Sequence, residues 1–217
     1  MTLDDAYFAR AEGEGKKRKP TTRTRGRKAR RTREALSRQD WIDAARAALI
    51  KSGIGAVRIM PLAKALGVTR GGFYWHFSGR KDLLEALLDD WERTNTASFE
   101  KILNRERRDG RAEFKALVDL WIDEREYSPA WDSALRNWAT LSKQAAGVVR
   151  RVDESRIGII REIFLHLGYE DPAALVRARI VYFHQVGYYT LALGETRAQR
   201  EALLPVYVEA LLGTPER

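Results

Sequence analysis

Arg70, Gly71 and Gly72 stand side by side in the stretch TRGGFYWHF, residues 69–77, and five rings follow them without a break, from Phe73 to Phe77. An arginine guanidinium is a planar fork of donors that matches the O6 and N7 acceptors of guanine, or two phosphate oxygens. Glycines expose backbone amides and let a helix start approach a base edge or a thymine methyl closely. Tyrosine and histidine add donors for phosphate. Each interior glycine costs a helix roughly 1 kcal/mol against alanine, so the pair opposes helix formation by about 2 kcal/mol unless something outside the helix favours it. This is the chemistry of recognition.

Catalytic alternatives find little support. The chain has no cysteine, which removes thiolate metal sites, thiol nucleophiles and disulfides. Its three histidines, at 76, 166 and 184, lack the short spacing of zinc ligands on one helix. No nucleophile elbow, phosphate-cradling glycine loop or dinucleotide fingerprint is present. The expectation is a protein that is not an enzyme and has no metal and no cofactor. No apolar run reaches the roughly 18 residues of a membrane span, and Asp4 and Asp5 precede any apolar stretch, unlike a signal peptide. A cytoplasmic protein without a membrane partner is expected.

The elements that must position residues 69–77 are helical. Ser37, with Asp40 three places on, caps a helix whose Trp41, Ala45, Ala48 and Leu49 share a face, and Ser52-Gly53 ends it. A short helix carries Ile59, Leu62, Ala63 and Leu66. Gly67 takes the positive φ of a turn, Val68 anchors it and Thr69 caps the next helix, which makes a helix-turn-helix. Phe73 and Phe77, four apart, face inward on Trp41 and Leu62. Arg70, Gly71, Gly72, Tyr74 and His76 are left toward the outer surface, and Trp75 either joins them or closes the core.

Charge reinforces this reading. Residues 16–33 hold eleven bases and no acid, residues 37–81 eight bases and two acids, and residues 82–217 nineteen bases and twenty-three acids. Basicity confined to the N-terminal third points to a polyanion met by that end. The run KKRKPTTRTRGRKARRTR has no aromatic or branched aliphatic residue and is expected to be a disordered basic arm. Three segments follow: the arm at 1–36, a DNA-binding domain at 37–82 and a helical domain at 83–217.

At WIDAARAALIKSG, PLAKALGVTRGGFYWHF and FSGRKDLL the sequence closely resembles the TetR family of bacterial transcriptional regulators, over about residues 37–88. The family's tyrosine-x-histidine-phenylalanine element appears as Tyr74, His76 and Phe77, and its phosphate-binding lysine as Arg80. Arg58 stands where the family often has a serine or threonine cap, which makes it a further candidate contact. The resemblance implies an all-α protein of about nine helices, with a three-helix DNA-binding domain and a C-terminal ligand-binding and dimerisation domain. It implies a homodimer on a palindromic double-stranded DNA operator, usually repressing and released by a small-molecule effector. The expected DNA contacts are Arg58, Thr69, Arg70, Gly71, Gly72, Tyr74, Trp75, His76, Arg80 and Lys81; a ligand-independent regulator or a non-specific nucleic-acid coat is the alternative.

The rest of the chain is read from periodicity. Helices are expected through Leu83–Trp91 and onward to about 104, then at 114–122, from Ser128-Pro129 to 141, at 148–167, from Asp171-Pro172 to 193, and around 203–212 with Pro205 kinking it or marking its start. Trp91, Phe99, Trp121, Trp131, Trp138 and Phe183 are candidate walls of a ligand cavity, with Asn137 and His184 as its polar contacts. IVYFHQVGYYTLAL, residues 180–193, is apolar around too much of its circumference for a surface helix. Tyr182, Val186, Gly187 and Tyr189, with Tyr207 and Leu211 of the last helix, are therefore the candidate dimer interface.

Overall fold

The computed structural model describes residues 36–103 and 108–212. Among these residues there are nine α-helices and no strand. They are α1 (Arg38–Ser52), α2 (Ile59–Ala65), α3 (Arg70–Tyr74), α4 (Arg80–Glu100), α5 (Gly110–Asp123), α6 (Pro129–Ala139), α7 (Lys143–His166), α8 (Ala173–Leu191) and α9 (Arg197–Leu212). A single turn of 3-10 helix, Ile54–Ala56, lies between α1 and α2. The basic arm at 16–33 lies outside the described residues.

Helix ends follow local chemistry. Ser37 and Asp40 form a full capping box at α1, and its side-chain hydrogen bonds from Ser37 hold the Asp40 carboxyl below the ordinary carboxylate range. Ser128 caps α6 with Pro129 behind it, and Gly168, at φ 93°, follows α7. Gly67, at φ 70°, makes the turn between α2 and α3.

Two starts differ from expectation. Thr69 sits at the N-cap of α3, but its side chain makes no capping bond. The last helix begins at Arg197, eight residues before Pro205, and runs through it. A proline there removes the donor for the Glu201 carbonyl, and both residues are exposed, so the carbonyl meets solvent. The start is set by Thr196 and Gln199, whose side chains exchange bonds with each other's backbone N–H, at 2.8 Å and 3.3 Å.

The apolar residues form two cores. One gathers α1 to α3, the first half of α4, α6 and the start of α7, around Trp41, Phe73, Leu87, Trp91, Leu135 and Val152. The other gathers Phe99, Phe114, Leu117, Trp121, Ile160, Phe164 and Val181 from the end of α4 and from α5, α7 and α8. Helix α4 enters both. Arg46 of α1 pairs with the buried Asp90 of α4, whose other oxygen accepts from Arg93 at 2.9 Å.

One glycine is fixed by packing. A Cβ on Gly110, at the start of α5, would lie 2.6 Å from the Leu167 backbone nitrogen and 2.7 Å from the His166 carbonyl carbon. Gly158, inside α7, has nothing within 4 Å of such an atom. Gly110→Ala is therefore expected to destabilise the fold by about 1–3 kcal/mol, the usual cost of overpacking. Gly158→Ala is expected to stabilise it by up to about 1 kcal/mol. Urea unfolding of the two variants checks both signs.

Candidate functional site

Helix α3 owes its place to the two phenylalanines. Phe73 is fully buried with its ring edge-on to Trp41, centroids 5.2 Å apart, and stacks on Phe77 at 5.3 Å. Arg38 covers the Phe77 ring from outside, at 4.7 Å. With those rings turned in, the opposite face is bare. Trp75 is 88% exposed and Tyr74 46%, so Trp75 does not close the core. Arg70 lies over the Tyr74 ring at 5.3 Å and donates to its hydroxyl through Nη2 at 2.7 Å, which orders the guanidinium along this face.

Gly71 and Gly72 are open rather than covered. A Cβ on Gly71 would meet the Thr69 Oγ1 at 3.7 Å, and one on Gly72 the Val68 Cγ2 at 3.9 Å, both ordinary contacts. The fold has room for alanine at either position. His76 is partly buried at the end of this face.

The remaining basic candidates are placed differently. Arg80 reaches back to the 3-10 turn, with Nε donating to the Val57 carbonyl at 2.7 Å and Nη2 to that of Ile54 at 3.1 Å. Arg58 donates to the Gly55 carbonyl at 2.7 Å. Both guanidiniums hold the turn before α2. Lys81 is exposed and lies 3.8 Å from Glu85. Met60 and Lys64 of α2 are exposed also and were not singled out from the sequence; nothing in periodicity separates them from other polar-face positions.

The eight candidate cavity residues do not share one cavity. Trp91 and Phe99 are buried core, and Phe183 is 59% exposed. Asn137 and Trp138 line a groove between the end of α1 and α6, together with Leu49, Ile50 and Leu141. Trp131 of α6 is buried, its ring under the Arg46 guanidinium at 5.5 Å. Trp121 and His184 line a second cavity, between α5, α8 and α9. Helical spacing gives the inward face of each helix but not which core it joins.

The candidate interface divides in the same way. Tyr182 is buried and belongs to the interior, and Tyr189 packs on Tyr127 at 5.7 Å with its hydroxyl donating to the Trp121 carbonyl at 3.0 Å. Val186 and Gly187 are partly buried, while Tyr207 and Leu211 line the second cavity. The exposed apolar stripe of α8 is Val176, Ile180 and Phe183, and Leu203 and Val206 of α9 are exposed too.

Tyr182 was misjudged because its hydroxyl completes an ion network that sequence spacing does not show. Arg136 forks onto Asp153 at 2.7 and 3.0 Å and donates to Asp132 through Nε at 2.7 Å. Arg156, 1% exposed, donates through Nη1 to Asp132 at 2.9 Å and to the Tyr182 hydroxyl at 3.2 Å. The Tyr182 hydroxyl donates in turn to Asp153 at 2.6 Å, and burial pushes its pKa up to about 12, so it stays protonated. The rings of Phe99, Tyr127 and Trp91 surround the Arg156 guanidinium at 4.8, 5.5 and 5.6 Å. Two positive and two negative side chains thus lock α6, α7 and α8 together.

Two short helices joined by the Gly67 turn, with an open glycine-fronted face and further helices behind, define an all-α helix-turn-helix protein. Residues 42–87 match the family described as bacterial regulatory proteins, tetR family. Over these residues the chain is similar to the DNA-binding domain of TetR-family transcriptional regulators. It is similar to the HTH-type transcriptional regulator TtgR of Pseudomonas putida, 40% identical over 68 residues, which are 30% of this chain and 32% of that one. AcrR of Shigella flexneri is 36% identical over 66 residues, 30% of this chain and 29% of its own. The chain thus spans about a third of the length of these curated relatives. In fold it resembles reduced NemR of E. coli, at a TM-score of 0.66 and 15% identity over 82% of this chain and 99% of that one.

The ion network makes a prediction about stability. Asp132→Ala removes the carboxylate that both Arg136 and Arg156 use and leaves a buried guanidinium without its charge partner. Denaturant unfolding is expected to show a loss of about 3–5 kcal/mol, the usual cost of breaking one partner of a buried pair. A loss near zero would mean the network contributes nothing to the lock.

Proposed function

We propose that this protein is a sequence-specific DNA-binding transcriptional regulator, a repressor that binds a palindromic operator as a homodimer and is released by a small-molecule ligand. The observation that carries the reading is the state of Gly71 and Gly72. Both lie in α3 with space for a Cβ, so the fold does not require them. A pair of glycines costing a five-residue helix about 2 kcal/mol is explained by close approach of another molecule's surface. The major groove of DNA is a surface of the right width for a helix.

On this reading Arg70 reads a base, Tyr74, Trp75, His76 and Lys81 meet the backbone, and Thr69 stands at the helix entry. Arg58 and Arg80 act mainly by fixing the turn beneath α2, within reach of a phosphate. A single five-residue helix offers few contacts, and two copies about 34 Å apart read successive grooves. The exposed stripe of α8 and α9, Val176, Ile180, Phe183, Leu203 and Val206, supports pairing through these helices. Its position in the cytoplasm and its response to ligand follow from the same regulatory role.

The test separates folding from binding. Gly71→Ala is expected to leave the melting temperature unchanged or higher, and to weaken operator binding about tenfold or more, as a helix held away from the groove floor would. Arg70→Ala is expected to lower the ratio of operator to random-DNA affinity by about 1–3 kcal/mol. If Gly71→Ala binds the operator as tightly as the original chain, the close-approach reading fails.

A further inference from the structure

We propose that residues 16–33 are a second DNA-binding element, which lays Arg25-Gly26-Arg27 into the minor groove of A·T-rich DNA flanking the operator. The assignment rests on the reading of α3 as a major-groove helix. It gives a role to the most strongly charged run of the chain, which that reading leaves without one.

Residues 16–33 lie outside the described residues, and their composition carries the chemistry. Seven of their eleven bases are arginine, and six of these fall within residues 23–33, beside one lysine. A guanidinium is more weakly hydrated than an ammonium, so it enters a narrow groove at lower cost. Arg23, Arg25 and Arg27 alternate with Thr24 and Gly26. A chain laid along a groove is extended, and side chains two apart then fall on one side. Three guanidiniums share that side, and Gly26 removes the Cβ at the centre, which lets the backbone approach the floor of a groove only about 6 Å wide. The Lys16-Lys17-Arg18-Lys19 run has no such alternation and suits phosphates outside the groove.

The same chemistry selects the base pairs. The minor groove of an A·T tract is narrow and strongly negative, which attracts arginine. A G·C pair places the guanine 2-amino group on the groove floor, a donor that meets a guanidinium with no acceptor between them.

The fold supplies the geometry, because the run joins it beside α3. Ser37 caps α1, so the chain becomes helical directly after Leu36. Arg38, the first residue of α1, lies over the Phe77 ring at 4.7 Å and 3.6 Å from Asp82. Phe77 follows Trp75 and His76 at the end of the open face of α3. The eleven peptide steps from Gly26 to Ser37 span at most about 40 Å. The minor groove next to an occupied major groove is half a turn away, about 17 Å, so the arginines reach it with α3 in place. Tethered at Ser37, the run binds as an intramolecular second contact and adds affinity once α3 is seated. Operator affinity then depends on bases that α3 never touches.

The test uses the full chain and duplexes carrying the selected operator or a scrambled core, with about ten base pairs on each side that are A·T, G·C or inosine·C. Inosine lacks the guanine 2-amino group, so an inosine·C pair shows a minor groove like that of A·T and a major groove like that of G·C. The expected result is that A·T and inosine·C flanks are bound about tenfold more tightly than G·C flanks. Arg25→Ala combined with Arg27→Ala is expected to abolish that preference and keep the ratio of operator to scrambled affinity, while the slope of log affinity against log salt falls by about 0.9 for each arginine engaged. Arg25→Lys combined with Arg27→Lys retains the charge, and is expected to keep the slope and lose most of the preference. Equal affinity for all three flanks, inosine·C behaving as G·C, a lysine variant with the full preference, or double-stranded RNA bound as tightly as the A·T-flanked duplex overturns the assignment. Flank preference that survives on a scrambled core, with no gain from the operator, overturns the operator reading and leaves the minor-groove assignment standing. An operator that is selected but indifferent to its flanks does the reverse.

Discussion

The contact between Phe73 and Trp41 is the constraint on which the rest of the structure depends. A helix of five residues with two glycines has no stability of its own, because nucleation costs more than so few hydrogen bonds return. It exists because one ring of its single inward turn is fully buried against Trp41 and stacked on Phe77. The direction of the exposed face follows from that anchor. With Phe73 pointing inward, Arg70 and Tyr74 lie along the outer surface and Trp75 stands out from it.

Helix α4 carries the consequence into the rest of the chain. Its first half packs with α1 to α3 and its far end packs with α5, α7 and α8, so one rigid rod belongs to both cores. Two polar anchors hold it at the near end, Arg80 on the turn before α2 and Asp90 on Arg46 of α1. At the far end, Phe99 lies between Trp121 and the guanidinium of Arg156. The ion network of α6, α7 and α8 is thereby in contact with the same helix whose start abuts the candidate DNA face.

Much of this was legible from sequence, and the reasons for the exceptions are physical. Phe73 and Phe77 four apart, Gly67 in a turn and Ser128 before Pro129 are local signals, and local geometry honours them. Pro205 was given too much weight, because a proline on an exposed helix face loses one hydrogen bond to solvent rather than ending the helix. The Thr196 to Gln199 capping pair was in the sequence and gives the true start. The ion network was not legible, since Asp132 and Arg156 stand twenty-four residues apart and only packing brings them together. The same holds for the aromatic residues of the C-terminal helices. Periodicity shows that Trp91, Trp121 and Trp138 turn inward, but the crossing of helices decides that Trp91 and Trp138 join one core, Trp138 also lining a groove, while Trp121 joins the other.

The central claim is that α3 lies in a groove of DNA and reads it, with a second copy doing the same one turn away. Selection of tight-binding fragments from a random-sequence duplex pool, carried out with the full chain at physiological salt, tests this most directly. The account predicts enrichment of an inverted repeat whose half-sites are about 10 base pairs, or a multiple of that, between centres. A pool that stays random after repeated rounds, with every duplex bound equally well, would contradict it.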